Sequence, residues 1–217
     1  MTNLAKGVIT FGALGSTVGG VYLGRNILIA KEDKSIRGYL LRKGSKLISD
    51  LSEKDGVNEQ WTEEFKSDKE EIKKLLGTSE NGDEAGGRLL KKWCESHISK
   101  DYSQTYKDLD KVEKYCLLRT IQSQLSRNKK KLLGMDSSDD GEWEATYSKR
   151  KSTTNLSPRS QIKGLEGQWN GDTKDKDLPI IKSWCANGVK DLFLANKKEA
   201  YTTVENWCTK EGASVNA

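Results

Sequence analysis

Histidine, proline, cysteine and large aliphatic side chains are all scarce in this chain of 217 residues. The single histidine, His97, excludes histidine-rich zinc sites and imidazole proton shuttles, and argues against most hydrolase triads. Four cysteines occur, none in C-x-x-C spacing, which disfavours a zinc site built from all four. Neither a phosphate-cradling glycine loop nor a nucleophile motif is present. Alternation of β-branched residues is nearly absent, so no strand is predicted and the fold class reads as all-α. Asp136, Ser138, Asp140 and Gly141 resemble the start of a calcium loop, but Tyr147 stands where a bidentate carboxylate is needed. A turn and helix N-cap before Trp143 is the better reading. These absences assign no catalytic, cofactor or metal residue and point away from an enzyme.

The apolar residues that do occur are unevenly spread. Sixteen of them lie in positions 1–30, where Lys6 and Arg25 are the only charges. Residues 7–24 read GVITFGALGSTVGGVYLG, eighteen residues without a charge. As a helix this segment would be roughly 27 Å long, close to the hydrocarbon thickness of a bilayer. Gly15 with Gly19, Ser16 with Gly20, and Gly20 with Gly24 have the small-xxx-small spacing that lets two membrane helices pack closely. Residues 1–30 are therefore read as a transmembrane anchor contacting lipid through 7–24 and able to self-associate. The alternative is a cleaved secretory signal. Arg25, Lys31, Lys34, Arg37, Arg42, Lys43 and Lys46 follow the span, a bias that favours a cytoplasmic C-terminal side.

The hydrophilic remainder repeats itself. Residues 89–98 (LLKKWCESHI) align without a gap to 180–189 (IIKSWCANGV), and 112–116 (VEKYC) to 204–208 (VENWC). Trp61 and Phe65 precede the first copy as Trp143 and Tyr147 precede the second, and 36–48 matches 121–133. Two small helical bundles in tandem follow, residues 31–117 and 118–217. A stripe through Trp61, Phe65, Ile72, Leu75 and Leu76 predicts one helix from an N-cap at Asn58 to a stop at Gly77. The pattern at 109–133 is compatible with one long helix joining the copies.

Units this poor in aliphatics bury little apolar surface, so aromatics must carry much of the core. Trp61, Trp93, Trp143, Trp184 and Trp207 are read as core anchors, each worth several kcal/mol (roughly 150–250 Å² at about 25 cal/mol/Å²). Trp169 has no counterpart and lies in the polar stretch 152–177, where satellite packing is expected. Cys94 with Cys116 and Cys185 with Cys208 are separated by 22 and 23 positions, which suggests one disulfide inside each copy. Four buried thiols in a reducing compartment are the alternative.

The charged residues alternate in sign, as in EEFKSDKEEIKK (63–74), the pattern of a solvated helical face. Basic runs at 129–131 and 149–151 stand out, yet residues 31–217 carry a surplus of only three positive charges. Nucleic-acid binding is not expected. His97 lies on the Trp93 face, and its counterpart is Gly188, which excludes a catalytic role repeated in both copies.

The glycine-rich span, the segment LLRKGSKLIS, the W-x-x-x-F/Y element and the repeated pairs Trp93–Cys94 and Trp184–Cys185 together resemble large paralogous families of membrane-anchored surface proteins in haemotropic mycoplasmas. The resemblance implies a single-pass protein of the cell membrane with its C-terminal part outside the cell. It further implies a host or surface protein as partner and a role in host contact or antigenic variation; no catalytic residues come with it. The rival expectation, from the basic flank, is a cytoplasm-facing adaptor that binds anionic lipid or a partner protein.

Overall fold

The computed structural model describes residues 33–214, except 136, 153–158, 166, 168 and 170–172. All regular structure among them is helical. The α-helices are α1 (Ile36–Arg42), α2 (Val57–Ser67), α3 (Lys69–Leu76), α4 (Asp83–Ile98), α5 (Leu109–Tyr115), α6 (Ile121–Arg127), α7 (Asp140–Ser152), α8 (Lys174–Gly188) and α9 (Lys198–Cys208), joined by short 3-10 turns. No described helix is long and apolar enough to cross a membrane. The expected span at 7–24, with Gly15, Gly19, Gly20 and Gly24, lies outside the described residues.

The two halves of the chain close in the same way. Ser35, in extended backbone, accepts the Gly38 N–H at the start of α1 (3.1 Å), and Thr120 accepts that of Ser123 at the start of α6 (3.2 Å). Isolated antiparallel bridges join Ser35 to Asp101 and Leu47 to Leu117, then Thr120 to Leu192 and Leu132 to Thr209. Their hydrogen bonds recur in register. Ile36 N–H donates to Lys100 O and Ile121 N–H to Asp191 O, both at 2.8 Å. Ile48 N–H donates to Cys116 O (3.0 Å) and Leu133 N–H to Cys208 O (2.9 Å). In each half, short backbone ladders tie the first helix and the segment after it to chain more than 60 residues later, and helices fill the space between.

Two hydrophobic clusters result. The first draws on residues from Ile36 to Leu118, the second on residues from Ile121 to Cys208. Cys94 is bonded to Cys116 and Cys185 to Cys208, with Cα atoms 5.6 Å apart in both pairs, and all four cysteines are buried. In the first cluster α4 packs closely on α2. A Cβ on Gly86 would run into the Phe65 ring, and one on Gly87 would come within 2.9 Å of the Thr62 backbone nitrogen.

Two expectations about helix boundaries are corrected. The stretch 109–133 is not one helix: α5 ends at Tyr115 and α6 begins at Ile121. Between them the Cys116 carbonyl accepts from Ile48, and the Leu118 N–H donates to Lys46 O (2.7 Å), so ladder pairing replaces helical bonding. The stripe from Trp61 to Leu76 is likewise split at Asp68 (φ −147°, ψ 43°), and α2 starts after Gly56 (φ 75°), which leaves Asn58 inside the helix. Asp68 leaves helical geometry with its carboxylate bonded to the Tyr115 hydroxyl (2.8 Å) and the Lys114 ammonium (2.7 Å). The stop at Gly77 (φ 59°) is where periodicity placed it.

Candidate functional site

The two halves meet along α2. Its Trp61 and Phe65 face the first cluster, while Gln60 and Glu64, also buried, face the second half. The Gln60 side-chain oxygen accepts the Ala195 N–H (2.8 Å). The Glu64 carboxylate, 1% exposed, sits between two guanidiniums: Arg119 contacts one oxygen, and Arg127 Nη1 lies 2.7 Å from the other. Arg119 also donates to Gln124 (3.0 Å), and Arg127 to Ser67 (3.0 Å) and to Lys114 O (3.3 Å). Burial pulls the Arg119 guanidinium down to about 9, Arg127 adds to the fall, and Arg119 is still a cation at neutral pH. Burial lowers Arg127 as well. In a charged joint of this kind the cost of desolvating the ions offsets much of their mutual attraction.

Beside the joint is a cleft of 530 Å³. Trp61 and Thr62 line it; the Trp61 indole N–H has no partner among the described residues, and the Thr62 hydroxyl donates to Asn58 O (2.9 Å). Glu59, Glu84, Arg88 and Lys91 supply charge of both signs, and Lys198 reaches across from the second half to Glu63 (3.2 Å). Neither histidine nor cysteine lines the cleft. Its lining combines an apolar patch with charge of both signs.

The second half contains a buried polar centre without a counterpart in the first. Asp177 accepts from Tyr147 (2.8 Å), from Thr173 (2.7 Å) and from both terminal nitrogens of Arg159. Burial alone would raise the Asp177 carboxyl, but the bonds from Arg159, Thr173 and Tyr147 outweigh it and hold the group below its ordinary value. Trp169 lies over this centre, edge-on to Tyr147 (5.3 Å between centroids), stacked on Trp207 (6.0 Å) and under the Arg159 guanidinium (5.1 Å). In the first half the aromatic layer sits elsewhere. His97 stacks on Trp93 (3.9 Å), Tyr106 meets it edge-on (6.2 Å), and Asp108 lies 3.7 Å from the His97 Nε2.

The aromatic positions singled out in the sequence divide into two groups. Trp61, Trp143 and Trp207 are almost wholly buried, whereas Trp93 and Trp184 are half-buried and pack on the edges of the two clusters. Glu64, Arg119, Arg127, Gln60 and Gln124 were not legible as joint residues. Glu64 falls within the run read as a solvated face; it is buried because the second half covers that side of α2. The signal available was its spacing, three residues after Trp61 and adjacent to Phe65. The basic run 149–151 is likewise not a solvent-facing patch throughout, since Arg150 is fully buried and donates to Gly212 O. No cluster of metal-ligating side chains occurs among the described residues.

Comparison of the chain with protein-family models, with curated proteins and with solved structures gives no match.

Proposed function

We propose that this protein is a membrane-anchored helical recognition module, displayed outside the cell and working by binding another molecule. The observation that carries this reading is the pair of disulfides, each closing a buried cluster, since such bonds persist in oxidising compartments and not in a reducing cytosol. The uncharged residues 7–24 supply the anchor, and the two tandem units form the displayed part. The charge bias after the span does not oppose this orientation strongly, because long segments translocate largely regardless of local charge. The resemblance to surface families of haemotropic mycoplasmas supports a role in host contact or antigenic variation. The cleft at the joint, with its mixed charge, is the face offered to a partner.

Thiol alkylation of the protein taken from its native cells, denatured without reductant, tests this reading. Export predicts no label before reduction and four labels after it; four labels without reduction overturn export and favour the cytoplasm-facing adaptor. Protease treatment of intact cells supplies the second arm. Loss of the chain is expected, and a chain left uncut removes surface display.

A further inference from the structure

The turn between α3 and α4 places an exposed asparagine between a carboxylate and two ammonium groups. Residues 78–82 (TSENG) are not helical, and Asn81 and Gly82 are exposed. The Glu80 side chain folds back over the turn, and its Oε1 accepts both the Asn81 N–H (2.9 Å) and the Gly82 N–H (2.7 Å). From α3, Lys73 Nζ donates to the Asn81 side-chain oxygen (2.7 Å) and Lys69 Nζ to the Asn81 backbone oxygen (3.0 Å).

These are the parts of an intramolecular displacement. The backbone nitrogen that follows an asparagine can attack the side-chain carbonyl carbon and close a five-membered imide. Glycine in the following position hinders that attack least, because it has no Cβ. A Cβ on Gly82 would stand 3.2 Å from Glu80 Oε1, so a larger residue would crowd the carboxylate. A base in hydrogen-bond reach of the proton to be removed assists such a step, and a cation on the carbonyl oxygen stabilises the charge that develops there. Asparagine precedes glycine at two other places in the sequence. The pair at 170–171 lies outside the described residues, and Asn187–Gly188 belongs to α8, where the Asn187 amide donates to Ser183 O (3.0 Å).

We propose that Asn81 is a self-modifying residue, converted by its own surroundings to a mixture of aspartate and isoaspartate. The Gly82 nitrogen bonds to Asn81 Cγ as its proton passes to Glu80, and Lys73 holds the oxygen of the tetrahedral intermediate. The Cγ–Nδ2 bond then breaks, and the amide leaves as ammonia with the proton returned from Glu80. Water opens the imide: addition at the side-chain carbonyl gives aspartate, and addition at the main-chain carbonyl gives isoaspartate. Either product puts a carboxylate beside Lys69 and Lys73 at the entry to α4, where the lysines and the helix terminus both favour negative charge. The reaction needs no enzyme or cofactor, and it does not rest on the location or binding role proposed above.

Incubation of the intact disulfide-bonded protein at neutral pH, with peptide mapping by mass spectrometry at intervals, tests this. The peptide containing Asn81 is expected to gain the mass of an amide-to-acid exchange, with one heavy oxygen added when the solvent is 18O-labelled water. Part of the product should be a substrate for isoaspartyl methyltransferase. Glu80→Gln keeps an acceptor for the Gly82 N–H but takes no proton, and is expected to slow conversion about tenfold. Lys73→Met is expected to slow it as well. Neither position is buried, so melting curves close to the parent's are expected for both variants. No conversion at Asn81, conversion at Asn187 at the same rate, or an unchanged rate in Glu80→Gln would each overturn the proposal. Faster conversion in Lys73→Met would overturn it too, since the ammonium would then restrain the amide instead of activating it.

Discussion

The Tyr147 hydroxyl donates to an Asp177 carboxylate oxygen at 2.8 Å, and the corresponding pair in the first unit, Phe65 and Gly86, has neither group and brings ring and backbone into direct contact. The two pairs are alternative solutions to one packing problem, the approach of the long Cys-bearing helix to the helix that carries the first tryptophan of each unit. One solution is dry and close. The other places a carboxylate between the helices and surrounds it with Arg159, Thr173 and Tyr147.

Gly86→Ala tests the dry solution. With a Cβ in place, Phe65 or α4 must shift, and overpacking of this kind costs about 1–3 kcal/mol. A lower urea midpoint with an unchanged slope is expected. A midpoint equal to that of the parent would mean that the contact has slack.

Acid titration tests the polar one. Asp177 has a folded-state value below the ordinary 3.8, so the folded protein takes up its proton at lower pH than the unfolded chain does. The stability this carboxylate contributes is complete above the unfolded value and is lost as pH falls through the folded one. Asp177→Asn should therefore be less stable than the parent at neutral pH, and the gap should narrow below about pH 4. Denaturant midpoints measured between neutrality and acid decide the matter; parallel curves would show that the carboxylate charge contributes nothing.

At the joint, Glu64→Gln leaves two buried guanidiniums facing a neutral amide. Breaking a buried ion pair from one side costs about 3–5 kcal/mol. Replacing all three charges together (Glu64→Leu, Arg119→Met, Arg127→Met) should recover most of that loss, because no uncompensated charge is left behind. Chemical denaturation of both variants checks this, and a triple variant as unstable as Glu64→Gln would show that the triad itself stabilises the joint.

Periodicity and duplication were legible in the sequence; contacts between the two copies were not. The spacing of Trp61, Phe65 and Ile72 reports which face of a helix is apolar, and Cys94, Cys116, Cys185 and Cys208 recur at spacings that pair them within each copy. Glu64 and Arg119, by contrast, are hydrophilic residues in a charged context, and only the arrival of the other unit makes them interior. The break after Tyr115 was hidden for a related reason. Leu118 and Ile121 keep helical spacing with Val112 and Tyr115, but the intervening backbone hydrogen-bonds to Lys46 and Ile48, distant partners that no local window contains. Trp169 was legible only as an aromatic without a counterpart, since the centre it covers is assembled from Tyr147, Arg159 and Asp177, far apart in the chain.

The two disulfides should matter unequally. Each closes a loop for which the chain-entropy model gives about 3 kcal/mol, so loop length alone predicts equal losses when the first pair (Cys94→Ala, Cys116→Ala) or the second (Cys185→Ala, Cys208→Ala) is removed. The surrounding clusters differ, however. The first is rich in aliphatic side chains, among them Ile36, Leu40, Leu47, Ile48, Leu51 and Ile72, whereas the second has fewer and relies on Trp143, Tyr147, Trp207 and the buried Asp177 centre. A polar centre keeps its value only while its geometry is held, and the Cys185–Cys208 bond ties α8, which carries Asp177, to α9, which carries Trp207. Removing that bond should therefore loosen the ring stack of Trp169 on Trp207 together with the Asp177 network, and amide exchange should rise throughout α8 and α9. Removing the Cys94–Cys116 bond should leave α2 and α4 better protected, because the contact through Gly86 and Gly87 does not depend on it. Equal exchange in the two variants, or greater exposure in the first unit, would mean that the aliphatic cluster is no more self-sufficient than the polar one.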